Sequence, residues 1–403
     1  MHCLWLTLAD PEPRYNGQFV YSGGLIAAVA AAGAELEVLG LRRADSPRAW
    51  GERTDNIVWW LPEDTSTSLH TRIGSLASRL PHIAYRCRTA GMRQELGRLL
   101  KDNDWDGIVF DGISVGWALH DVLRHYAGRS HRPRLIYVSH NHEESLRSQI
   151  AQSQKLLLRR QAVRLDALKV MRLERELVDK VDFVTAITAE DLSLYRARRS
   201  DKPMDVVTPG YQGRRLPLRR IDPAVPRRAV IVGSFDWIAK RMNLEEFVEV
   251  ADPMFAERGA ELLAVGSGEA SFFDRLRQQA TATRFTGTVP DVTRHLDEAR
   301  IAIVPERNGG GFKLKVLEYV FNRIPVFALN GSFAGVPLTH NDSVMLFPDH
   351  TALAHGVLEA IDDIDRLNRL QDRAYAACSD RFDWANRGHR IVSVLGRRAE
   401  AAA

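Results

Sequence analysis

Cysteine is scarce in this chain. Three occur in 403 residues, Cys3, Cys87 and Cys378, far apart and odd in number. That spacing makes neither a metal-ligand set nor a disulfide framework, so a reducing compartment is expected. Long apolar runs are missing as well: none reaches the roughly 18 residues of a membrane span. Met1–Asp10 has no basic segment leading into a long apolar stretch, and it reads as a short strand rather than a signal peptide. The expected location is cytoplasmic. Internal repeats are not found, and only Ala399–Ala403 looks low in complexity. No Gly-Lys-Ser/Thr follows a glycine run, and no G-x-G-x-x-G lies beside the first strand, which argues against a P-loop and a dinucleotide fingerprint. No Asp-x-Asp pattern presents itself as a metal site. The expectation is therefore no metal and no cofactor.

What is present is globular. Hydrophobic residues make up 45% and charged residues 26%, and the length suggests two domains rather than one core. Short apolar runs alternate with helical patterns. Candidate strands are Cys3–Leu8, Leu36–Leu41, Ile57–Trp60, Gly107–Phe110, Leu135–Val138 and Phe183–Ile187, then Ala229–Val232, Glu261–Val265, Arg284–Thr286, Ile301–Val304 and Pro325–Ala328. Most are continuous and β-branched, as in parallel sheets covered on both faces. The expected fold class is α/β, two Rossmann-like doubly wound parallel-sheet domains facing across a cleft. Residues 1–211 form the first domain. Gln212–Arg228, with three prolines and little periodicity, reads as a linker. Residues 229–380 form the second, and 381–403 a final helix packing back on the first.

The strongest motif spans Ile303–Phe327, IVPERNGGGFKLKVLEYVFNRIPVF. A strand ends, the run Gly309-Gly310-Gly311 follows, and a helix is predicted over Phe312–Asn322. Glycines let a backbone approach a diphosphate, and the next helix N-terminus offers free N–H groups. Lys315 is placed for phosphate, and Glu318, on the same face, for ribose hydroxyls. A solvated Lys and Glu beside a plain glycine loop is the bland alternative.

Pro305, Gly309, Gly311, Lys315, Leu317, Glu318, Pro325 and Val326 resemble the donor-site signature of GT-B glycosyltransferases, closest to the retaining group called family 4 with P-x-x-x-G-x-G-x-x-x-K-x-L-E. Val232–Phe235, Val265–Gly268, Phe285–Val289 and Asp383-Trp384 fall in the order this likeness requires. The resemblance implies a nucleotide diphosphate sugar as substrate, with Gly233, Lys240, Arg241, Gly266, Val289, Gly309, Gly310, Gly311, Phe312, Lys315, Leu317 and Glu318 at the donor. Two positions depart from it. Gly310 stands where many relatives carry a glutamate that touches the donor sugar, and Ser234 where an arginine is usual; Lys240 or Arg241 would replace the latter.

In the first domain, Gly23 and Gly24 open a helical pattern over Leu25–Ala32 and resemble the glycine turn facing diphosphate and acceptor. His140 and His142 follow a strand on a loop where many relatives place a histidine near the donor sugar. A neutral imidazole there donates to a hydroxyl or accepts a proton. Asp111, ending its strand, would bind an acceptor hydroxyl, act as a base, or simply cap a helix. The likeness implies retention of anomeric configuration by front-face attack. Basic residues crowd segments 72–101 and 147–172, with apolar neighbours, which suits either an anionic membrane surface and a lipid-linked or glycan acceptor, or a solvated helix face. No nucleic-acid recognition motif accompanies them. A nucleotide-sugar epimerase or hydrolase of the same fold, and a non-catalytic nucleotide-sugar-binding scaffold, remain alternatives.

Overall fold

The computed structural model describes residues 1–14, 16–65, 74–147, 157–236, 238–306, 312–332 and 334–396. The chain divides into two units, residues 1–210 with 383–403, and residues 211–382.

The first unit holds an eight-stranded sheet. Its strands are β1 (His2–Ala9), β2 (Glu35–Leu41), β3 (Glu52–Thr54), β4 (Ile57–Trp60), β5 (Gly107–Asp111), β6 (Arg134–Val138), β7 (Phe183–Ala186) and β8 (Met204–Val206), in the order β3-β4-β2-β1-β5-β6-β7-β8. All pair in parallel except β3 with β4. The second unit holds a six-stranded, wholly parallel sheet: β9 (Arg228–Val232), β10 (Glu261–Val265), β11 (Thr283–Phe285), β12 (Ile301–Val304), β13 (Val326–Leu329) and β14 (Met345–Phe347), ordered β11-β10-β9-β12-β13-β14. The continuous apolar runs follow from this layering. In β12, Ile301 and Ile303 enter one core layer with Phe247 and Phe327, while Ala302 and Val304 enter the other with Val316 and Val320. Successive side chains point to opposite faces, and here both faces are dry.

Strand order reverses between β1 and β5 in one sheet and between β9 and β12 in the other. In doubly wound sheets ligands bind at the carboxyl ends of the strands at such a reversal. Of the four three-residue strands, β11 begins one residue before the expected Arg284–Thr286, while β3, β8 and β14 leave no periodic signal in sequence.

Two expectations need correction. Segment 212–228 is not a free linker but part of the second unit, fastened by arginine and amide side chains. Arg214 Nε donates to Asn322 Oδ1 (2.8 Å), Arg219 to the Ala299 carbonyl (2.7 Å), and Ile221 N to Asn368 Oδ1 (3.0 Å). Its prolines removed periodicity without loosening it. Gly23 and Gly24 do not open a helix either. Helix α1 spans Gly17–Ala31 and is capped by Asn16, whose side chain accepts from Phe19 N. The glycine pair lies mid-helix, and Gly24 is where a Cβ would overlap the Trp384 indole.

Helix α2 (Leu157–Lys180) belongs to the first unit, α3 (Ile238–Glu257) and α4 (Leu314–Phe321) to the second, and α5 (Trp384–Leu395) returns to the first, against α1. A Cβ at Gly388 of α5 would overlap the Ala28 carbonyl of α1. Backbone meets backbone there, so no side chain can swing aside. Gly388→Ala is expected to lower unfolding free energy by about 1–3 kcal/mol, the usual cost of overpacking, measured by urea denaturation; an unchanged midpoint would show that the helices separate freely.

Candidate functional site

In the second unit the reversal point gathers charge. β12 stops at Val304, and the next carbonyl, of Pro305, accepts a hydrogen bond from Nε2 of buried His350 (2.9 Å). Glu306 follows, only 7% exposed. Its Oε1 is ion-paired with Nζ of Lys315, the second residue of α4. Lys313 is the N-cap residue of that helix, and Lys240 lies in the first turn of α3, after β9. Burial raises the Glu306 carboxyl, but Lys315 and Lys313 outweigh it and hold it below the usual carboxylate range. Burial pushes the Lys313 ammonium down to about 8, with Lys315 and Lys240 adding to the fall and Glu306 opposing it. Lys240 is lowered by burial and then by the charge of Lys315. Three ammonium groups thus share one buried carboxylate, with α4 starting beside them. Such an array attracts a compact polyanion.

Glu318 does not join this cluster. Its Oε1 accepts from Asn322 Nδ2 (2.9 Å), and the Tyr211 hydroxyl is shared between it and the Arg214 carbonyl (3.1 Å). Burial raises its pKa. The remaining donor candidates divide. Lys240 is in the cluster, whereas Arg241 turns to Glu269 (3.0 Å) on the surface. Leu317 is fully buried in the core and is corrected from a donor contact to a packing residue. Val289 and Phe312 pack partly buried at the edge of the same core layer, Phe312 beside Phe382. Gly233 and Gly266 touch each other: with φ of 141° at Gly266, a Cβ there would overlap the Gly233 carbonyl. They let two strand ends close up. Ser234 donates to Asp236 (2.7 Å). Gly309, Gly310 and Gly311 lie outside the described residues.

In the first unit the reversal point carries a histidine–aspartate pair. Asp111, the last residue of β5, is fully buried. Its Oδ1 lies 2.5 Å from His140 Nε2, and its Oδ2 accepts from Trp5 Nε1 of β1 (3.1 Å). Burial raises the Asp111 carboxyl, but the charge and hydrogen bond of His140, with Trp5, hold it below the usual value. Asp111 holds the Nε2 side of the ring, so chemistry at this imidazole falls to Nδ1. Tyr21 of α1 packs edge-on against the ring, centroids 5.2 Å apart. Asp111 is therefore corrected. It caps no helix and, fully buried, meets no solvent; its partners include His140 and Trp5. His142 is elsewhere, its Nδ1 2.7 Å from Ser145 Oγ and its ring against Tyr195. Burial lowers its pKa and keeps it neutral.

Some participants were not anticipated. Glu306, Lys313, Trp5 and Tyr21 give no motif signal. Literal Asp-x-Asp triplets do occur, but Asp102 pairs with Arg98 (3.4 Å), Asp106 accepts from His2 N (2.8 Å) and Asp363 caps a helix. Among the described residues no His, Cys, Asp and Glu group could hold a metal ion, and no helix is long and apolar enough to cross a membrane.

Residues 226–363 match the model of the family described as glycosyl transferases group 1. The matched range lies within the second unit. Sugar transfer is the reaction class that this match supports. No curated protein matches the chain in sequence. Among solved structures it is similar to sucrose-phosphate synthase from Thermosynechococcus elongatus, 17% identical over 98% of each chain with a TM-score of 0.72. It is also similar to Anabaena HepE in complex with UDP and glucose, 14% identical over 98% of this chain and 99% of that one, TM-score 0.63. A third is WaaG, a glycosyltransferase involved in lipopolysaccharide biosynthesis, 13% identical over 98% and 99%, TM-score 0.61. At these identities the likeness shows the fold, two parallel-sheet α/β domains of the GT-B type. The matched range contains Lys240, Glu306, Lys313, Lys315, Glu318 and His350.

The loop carrying His140 is tied down by Glu174 of α2. Its carboxylate accepts from the backbone N–H groups of Glu143 and Glu144 (both 3.0 Å) and from the Tyr195 hydroxyl (2.6 Å). Burial pushes Glu174 from the ordinary carboxylate value of 4.5 up to about 7, against those hydrogen bonds. The folded-state value is thus the higher one. Below both values nothing is lost; as pH rises between them the unfolded chain ionises first and stability falls. Glu174→Gln cannot ionise. Between about pH 5 and about pH 8 the stability difference should move in favour of the variant by roughly 3 kcal/mol, read from urea unfolding at both pH values. A constant difference would show that Glu174 titrates normally in the fold.

Proposed function

We propose that this protein is a metal-independent glycosyltransferase, moving a sugar from a nucleotide diphosphate sugar to a glycan, glycolipid or small-molecule acceptor with retention of configuration. The observation that carries the reading is the Lys240, Lys313 and Lys315 cluster at the β9–β12 reversal of the second unit. HepE, of the same fold, was solved with UDP and with UDP-glucose, which supports a diphosphate donor. When the glycosidic bond to the diphosphate breaks, negative charge grows on the leaving oxygen. Fixed ammonium groups and the α4 N-terminus stabilise that charge without reorganising. On the front-face route the leaving diphosphate takes the acceptor's proton. In the first unit, His140 with Asp111 is the pair we assign to a sugar hydroxyl.

Lys315→Ala should weaken nucleoside diphosphate binding by about 30-fold or more, followed by thermal shift and calorimetry against UDP, GDP, ADP and dTDP. His140→Ala should leave that binding in place and lower turnover on the order of 100-fold. A chelator should change neither. Donor turnover that needs no acceptor would favour an epimerase or hydrolase, and tight binding with no turnover a scaffold. Unaltered affinity in Lys315→Ala would sink the proposed donor site.

We further propose that the acceptor is lipid-linked and met at an anionic membrane surface inside the cell. Leu76, Leu165 and Leu168 are 54%, 44% and 58% exposed. Lys169, the residue after Leu168, donates to the Ser75 and Leu76 carbonyls and so ties the two segments together, and Arg79, Arg164 and Arg172 on them are exposed. Other basic residues of segments 72–101 and 147–172 are engaged internally: Arg86 with Asp64, Arg98 with Glu95 and Arg147 with Glu143. Arg72, Lys155 and the side chains of Arg159 and Arg160 lie outside the described residues. The protein should co-sediment with vesicles containing phosphatidylserine and not with neutral ones, and Leu165→Gln with Leu168→Gln should abolish this. Equal recovery with both vesicle types would refute an anionic surface.

A further inference from the structure

The lysine cluster contains a carboxylate that an anion site would be stronger without. Glu306 is nearly enclosed, ion-paired through Oε1 with Lys315, and held ionised by Lys315 and Lys313. Its Oε2 is buried with no hydrogen-bond partner among the described residues. A buried carboxylate with one oxygen unsatisfied is costly to keep, and any phosphate arriving at Lys315 meets its charge.

The arithmetic of charge suggests what it is for. Among the described residues, Lys240, Lys313 and Lys315 with Glu306 sum to three positive charges and one negative, a net of +2, while Asp236, on the other side of Lys240, is held by Ser234 and Ser267. A sugar-linked nucleoside diphosphate has one ionised oxygen on each phosphate, two negative charges. Once the sugar leaves, the terminal phosphate becomes a monoester whose second pKa is about 6, so at neutral pH the product carries close to one charge more. Without Glu306 the site would hold the product more tightly than the donor. We infer that Glu306 is the residue that matches this site to the sugar-linked diphosphate and drives off the more highly charged free nucleotide. It is a positioning and charge-selecting residue, acting through the lysines. The inference rests on the donor-site reading above.

Isothermal titration with UDP and UDP-glucose, on wild type and on Glu306→Gln, tests it, with thermal unfolding to confirm that each protein is folded. The variant should bind UDP about tenfold more tightly or better, as expected for removing a like charge beside an ion. UDP-glucose should gain less, so the ratio of the two affinities shifts towards product, and product inhibition should deepen. The UDP affinity of the variant should also fall more steeply with salt. Glu306→Gln with Lys313→Met restores a net of +2 and should return the ratio towards wild type. If the variant loses affinity for both ligands alike, Glu306 only props up Lys315 and the inference is overturned while the donor site stands. An unchanged ratio overturns it equally. If no nucleotide binds but inorganic pyrophosphate binds and tightens in Glu306→Gln, the charge role stands and the donor reading falls.

Discussion

Both sheets are covered on both faces, and that constraint decides where chemistry can occur. Along β12, Ile301 to Val304 alternate between two dry layers, so no polar side chain is tolerated until the strand stops. The first polar residues beyond the strand ends are therefore the ones that shape the loops. Asp10 after β1, Asp111 at the end of β5 and Glu306 after β12 are all buried carboxylates. Each has a cationic or donor partner: Arg48 for Asp10, Trp5 and His140 for Asp111, Lys315 for Glu306. Leaving any of them unpaired would cost several kcal/mol, and the surrounding loops have the conformations that provide those partners.

The same pairing has different chemical consequences in the two units. An imidazole bonded to a carboxylate through one nitrogen has its tautomer chosen and its plane fixed, so Asp111 defines what His140 can do at its other nitrogen. An ammonium group has no plane and no tautomer. Lys315 can turn from one anion to another with small movements of a flexible stem, and Lys313 and Lys240 stand close enough to share the load. One pair is an orientation device, the other a reservoir of exchangeable charge.

Much of the fold was legible because two-sided burial writes itself into sequence as continuous apolar runs. Glu261–Val265 and Ile301–Val304 are strands with the expected limits. Met204–Val206 carries too few side chains to show a pattern, and the equally short Thr283–Phe285 shows only to within one residue. Lys315 was legible through the motif around it, and it stands against Glu306. Glu306 was not, since a lone glutamate after a strand looks like any loop residue until its burial is seen. The glycine pair in α1 misled for a related reason. Glycine marks close approach as well as turns, and only the packing of Trp384 against Gly24 tells which applies. The arginines of 212–228 likewise look solvated in sequence because their partners, Asn322, Asp297 and Asp362, are far along the chain.

Helix α5 belongs to the first unit yet follows the whole second unit in the chain. Synthesis runs from the amino end, so residues 211–382 emerge before it. The second unit has all its strands and can complete its sheet while the first still lacks the helix that covers α1. Until Trp384 and Gly388 arrive, the groove at Gly24 and Ala28 is bare apolar surface, and the half of the molecule made first is the last to be finished. Chaperone dependence and sensitivity to premature termination should therefore fall on the amino-terminal unit, although the missing residues lie at the other end of the message.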